Sequence, residues 1–92
     1  MASSPGGALI AQLQSVLHLA KSKADTHRAG IHAVANDHGQ IAAALGAAIG
    51  GGSRTAQLAA AMQTEARQLA AREAQLISAI EGEIRKAGQV GQ

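Results

Sequence analysis

The sequence predicts an all-α fold, two long helices folded back on each other as an antiparallel helix-turn-helix hairpin that is expected to associate into a four-helix bundle. Three observations carry this. The 92-residue chain has no Phe, Trp or Tyr, and its apolar side chains are Ala, Leu, Ile, Val and two Met, which fill narrow seams between helices but build no thick core. Apolar residues recur at alternating steps of three and four over most of the length. The one dense interruption, the triple glycine in "LGAAIGGGSRTAQLAAAM", falls almost at the midpoint.

Residues 1–7, "MASSPGG", read as a flexible lead, in which Ser3 or Ser4 can cap the helix behind it. Helix 1 is predicted over 8–49. Stepping from Ile10 gives Leu13, Leu17, Ala20, Ala24, His27, Ile31, Val34, His38, Ile41, Leu45 and Ala48, a heptad seam with only two polar members. The period does not slip across "GIHAVANDHGQ", which favours one continuous helix; the alternative is a break near residues 36–39 giving three helices. Residues 50–54 form the predicted tip. Gly50, Gly51 and Gly52 permit the positive backbone angles of a reversal, Ile49 precedes them as an apolar anchor, and Ser53 or Thr55 can cap the second helix. Helix 2 is predicted over 55–87, where Leu58, Met62, Ala66, Leu69, Leu76, Ile80 and Ala87 keep helical spacing and Ile77 and Ile84 widen the stripe. Gly88 is placed to terminate it, leaving 88–92 as a loose tail. The seam residues expected to form the core and interface are Leu13, Leu17, Ile31, Val34, Ile41, Leu45, Leu58, Met62, Leu69, Leu76, Ile80 and Ile84.

Composition narrows the function classes. Net charge is +2, from eight basic and six acidic side chains with no basic run, and there are no aromatic platforms for bases, so no nucleic-acid partner is expected. No stretch is long and apolar enough for stable membrane insertion, and the start lacks the basic and apolar regions of a cleaved signal. Without cysteine there is neither a disulfide framework nor a thiolate metal site. The phosphate-loop reading of "IGGGSR" fails because no Lys stands after the glycines at the required place and no strand precedes them.

A small hairpin with a glycine-containing motif at its centre and an Ala- and Gln-rich second helix resembles the WXG-type, ESAT-like proteins of type VII secretion. Ile49, Gly50 and Gly51 stand at the positions of the motif, with Ile in place of its Trp, and "SRTAQLAAAMQTEARQL" comes next as the second helix. The resemblance implies a secreted protein, exported as a dimer without a cleaved signal. The family's Tyr-x-x-x-acid export signal has no counterpart, since the chain has no Tyr; "ISAIE" is the nearest shape. That departure implies a passenger whose partner carries the signal.

All four histidines, His18, His27, His32 and His38, lie in helix 1, at gaps of nine, five and six. Those gaps do not suit a metal, which wants ligands three or four apart on one face. If the tip centres near Gly51 and Gly52, facing residues have numbers summing to about 103, which sets His38 opposite Glu65 and His27 within a turn of Glu73. These pairs are expected to be interhelical contacts that fix register and respond to the protonation of the imidazole. No catalytic constellation is visible, because Glu81 and Glu83 point to different faces and the serines have no base beside them.

The expectation is therefore a non-enzymatic protein without cofactor or metal. Its partner is a similar small helical hairpin, in a homodimer or a heterodimer. Two other classes fit the same pattern, a cytoplasmic homodimeric four-helix-bundle adaptor and a histidine-based metal- or ligand-binding bundle.

Overall fold

The computed structural model describes residues 5–90. Two helices account for nearly all of them, α1 over Pro5–Ile49 and α2 over Arg54–Val90, and no strand occurs among the described residues. The fold is the all-α hairpin that the apolar spacing predicts. Its backbone is a rod of 71 × 17 × 13 Å, the length that 45 residues reach at about 1.5 Å each.

Both outer boundaries differ from the sequence reading. Helix α1 begins at Pro5, so Pro5, Gly6 and Gly7 belong to it and not to a flexible lead. Proline suits a first turn, where its missing N–H has no intrahelical acceptor and its fixed φ is already helical. The proposed caps Ser3 and Ser4 lie outside the described residues. At the other end, Gly88 does not terminate α2, which runs on to Val90. Ala87 is buried in the seam and the Gln14 side chain of α1 lies against Gly88, so tertiary contact holds this turn despite glycine's low helix propensity. Helix α1 is unbroken across residues 36–39.

The tip is built by glycine geometry and one cap. Gly50 has φ of 95°, the left-handed conformation that side-chain-bearing residues avoid, and its N–H still bonds the Gly46 carbonyl at 3.0 Å. The Ser53 N–H then bonds the Gly50 carbonyl at 3.1 Å, closing the turn. Of the two candidate caps, Ser53 is the one used: its Oγ accepts from the Ala56 N–H at 3.2 Å.

Between the helices the most deeply buried positions of the seam are taken mainly by small residues. Eight apolar residues are buried, and six of them are alanines: Ala24, Ala35, Ala56, Ala59, Ala70 and Ala87, with Ile31 and Ile77. On α2 the buried and half-buried line runs Ala56, Ala59, Gln63, Ala66, Ala70, Glu73, Ile77, Ile80, Ile84 and Ala87, an unbroken sequence of three- and four-residue steps. That is the spacing of a coiled-coil seam. Where α1 meets it, Gly39 allows close approach, because the Gln63 side-chain amide occupies the space a Cβ there would take.

Candidate functional site

The histidine and glutamate pairs resolve differently. His27 Nδ1 donates to Glu73 Oε1 at 2.8 Å, and Glu73 is only 14% exposed while His27 is 64% exposed. Acceptance by a carboxylate places the proton on Nδ1. His38 does not reach Glu65; its Nδ1 donates to the Val34 carbonyl one turn back, at 2.9 Å. The helical register explains the difference. Gly39 faces Gln63 and Gly88 faces Gln14, so facing numbers sum to slightly less than the tip alone suggests, and Glu65 stays on the exposed side of α2.

The expected seam residues fall into two sets. One line of α1, Ile10, Leu17, Ala24, Ile31, His38 and Leu45, is buried or half-buried and faces α2. Its companions in the seam are Gln14, Lys21, Ala35 and Ala42, one step around the helix from the line the apolar spacing selects. Leu13, Val34 and Ile41 are consequently 46–49% exposed. On α2, Ile80 and Ile84 are half-buried, while Leu58, Met62, Leu69 and Leu76 are 44–53% exposed. Ile49 at the tip is exposed as well.

These exposed residues share a face. In an antiparallel pair the positions flanking a seam on one side of the first helix neighbour the equivalent positions of the second. Two shallow grooves run along that side and meet at His27. One, of about 560 Å³, has Gly30, Ile31 and Val34 on one wall and Ala66 and Leu69 on the other. The next, of about 510 Å³, lies between Ala20, Lys23 and Ala24 on α1 and Glu73, Leu76 and Ile80 on α2. The His27–Glu73 bond crosses between them. The far side of the seam is polar, with His18, Lys21, Glu81 and Arg85 around a groove of about 310 Å³.

Among the described residues, the ion pairs Lys21–Asp25 and Lys86–Glu83 are local to one helix and solvated. Lys21 bonds Asp25 at 3.0 Å one turn ahead, and this bond, with the attraction of the carboxylate, holds the Lys21 ammonium above the ordinary lysine range. Lys86 pairs with Glu83 at 3.4 Å. No group of three or more metal-binding side chains occurs among the described residues, and no helix among them is long and apolar enough to cross a membrane. Such a surface offers a partner shape and apolar area.

Compared with protein-family models, with curated proteins and with solved structures, the chain matches none.

Proposed function

We propose that this chain is a non-enzymatic interaction module that buries one apolar face against another helical hairpin, completing a four-helix bundle. A single observation carries the reading: the hairpin closes on alanines while its larger aliphatics, Leu13, Val34, Ile41, Met62, Leu69 and Leu76 among them, stand exposed on one side. Full burial of such a side chain is worth roughly 1.5–3 kcal/mol, and because each is already about half-buried, a partner covering the stripe gains about half of that per residue. A helical partner supplies the matching ridges without unsatisfied backbone groups.

The finer setting rests on the resemblance to WXG-type proteins. It is supported by Ile49, Gly50 and Gly51 standing at the reversal, with Gly50 the residue that takes the left-handed conformation. On that reading the chain is a type VII secretion substrate or partner, exported as a dimer without a cleaved signal. The absence of any Tyr favours a passenger role there, and equally favours a cytoplasmic adaptor built on the same bundle.

The test is light scattering behind size-exclusion chromatography, with circular dichroism over a concentration series, on the wild type and on Leu69→Glu. The expected outcome is a helical, concentration-dependent assembly that Leu69→Glu dissolves, or a molten monomer that orders when a partner hairpin is supplied. A compact monomer, melting cooperatively at every concentration and unchanged by Leu69→Glu, overturns the reading.

A further inference from the structure

The four histidines differ in what holds their rings. His18 and His32 are exposed, and their rings bond nothing among the described residues. His38 is half-buried and donates to a neutral carbonyl of its own helix. His27 alone among them donates to a carboxylate, and it does so across the seam: Glu73 is 14% exposed there, while the ring is 64% exposed. With the proton held on Nδ1 by this bond, the Nε2 lone pair is the free nucleophile of a ring that lies open to solvent.

The surroundings of the ring favour an anion. Within about a turn and a half of it, the charged side chains are Lys23, Asp25 and Arg28 on α1, and Arg72 and Glu73 at the matching levels of α2. The two acids are engaged, Asp25 with Lys21 and Glu73 with the ring itself. Lys23, Arg28 and Arg72 have no ion-pair partner among the described residues, and Lys23 lines the same groove as His27 and Glu73. One turn ahead, a Cβ built at Gly30 would meet no atom within 4 Å, so the approach to the ring is clear on that side.

We propose that His27 is a phosphorylation site, its Nε2 taking the phosphoryl group of a phosphoramidate-class donor. The Nε2 lone pair attacks phosphorus, the P–N bond of the donor breaks, and its electron pair leaves on the donor nitrogen, as ammonia or an amine. One P–N bond replaces another, so no further energy source enters. The Nδ1 proton stays in place, and the positive charge that the ring acquires faces the Glu73 carboxylate. Glu73 is thus a positioning residue, and Lys23 offers its ammonium to the phosphoryl oxygens. The site does not depend on the docking reading. On that reading it adds a control, because a phosphoryl group at His27 sets negative charge between the two apolar grooves, where the partner would lie.

The experiment treats the full chain with phosphoramidate, maps the label by peptide mass spectrometry and assigns the ring nitrogen by phosphorus NMR, with circular dichroism on every variant. His27 is expected to be labelled at Nε2 about fivefold or more faster than His18 or His32. Glu73→Gln keeps an oxygen to accept the Nδ1 proton but carries no charge, and it is expected to bring His27 down to the rate of His18. Lys23→Ala is expected to slow His27 by about twofold or more. In urea, where the hairpin is lost, the preference for His27 disappears, a comparison that holds even if Glu73→Gln does not fold. Because a docked partner would cover His27, the reaction is repeated on Leu69→Glu; protection in the wild type with Nε2 labelling in Leu69→Glu supports the site and the docking reading together. Equal labelling of His18, His27 and His32, labelling of His27 at Nδ1, a preference that persists in urea, or no labelling of His27 in either protein overturns the site. None of these results touches the docking reading, which light scattering tests by itself.

Discussion

The seam between the helices and the stripe on one flank of the hairpin draw on the same aliphatic alphabet and use it oppositely. Among the described residues the buried part of the seam takes alanine, with Ile31 and Ile77 as its large members, and the stripe takes leucine, methionine, valine and Ile41. Small residues let two helices of one chain approach closely, but each contributes little apolar area. Large residues left at about half exposure hold most of the unspent burial. The difference teaches that the hairpin buries mainly small side chains in its own seam and leaves much of its larger aliphatic surface in solvent, the surface that the proposed partner would cover.

The comparison is broken most severely by Leu69→Glu. A carboxylate at the centre of a covered stripe is expected to weaken association by about 3–5 kcal/mol, while the isolated hairpin keeps its helicity because Leu69 is 44% exposed there. Sedimentation separates the two effects. Ala70→Leu makes the opposite change, placing a stripe-sized residue in the seam at a position only 2% exposed. It is expected to cost about 1–3 kcal/mol in urea unfolding by forcing the helices apart. Gly50→Ala leaves both surfaces untouched and strains the reversal that aligns them; with φ at 95°, the expected loss is about 1–2 kcal/mol in thermal melts. The smallest effect belongs to the polar flank. Because the Lys21 pKa is raised by Asp25, that pair contributes stability below the unfolded value of 10.5 and loses it as pH rises through the folded value. Asp25→Asn should remove this alkaline slope from the melting temperature.

The contrast also explains what is legible in the sequence. Helix continuity through Asn36 and Asp37, the reversal at Gly50 and the pairing of His27 with Glu73 all derive from spacing, because a seam period and a tip position constrain them directly. The line Ile10 to Leu45 is legible for the same reason. Its partner line is not: Leu13, Val34 and Ile41 outrank Gln14, Lys21, Ala35 and Ala42 in hydrophobicity, yet the latter face α2. Hydrophobicity ranks the larger aliphatics first, whereas the seam between these two helices selects for size and close approach. Alanine is ambiguous on such a scale, whereas its regular recurrence at 56, 59, 66 and 70 is a size signal that identifies a close helix contact. Spacing misplaces His38 because the register falls slightly short of the sum the tip suggests and leaves Glu65 on the exposed side of α2, while the His38 ring bonds the Val34 carbonyl of its own helix.

A seam of alanines holds its two helices together only because they cannot diffuse apart. The short reversal from Gly50 to Ser53 sets an effective concentration on the order of millimolar or above for one helix in the presence of the other. Cleavage after the exposed Arg54 would remove no seam residue, yet it would turn an intramolecular encounter into a bimolecular one. At micromolar concentration the halves would separate, each retaining its outward leucines.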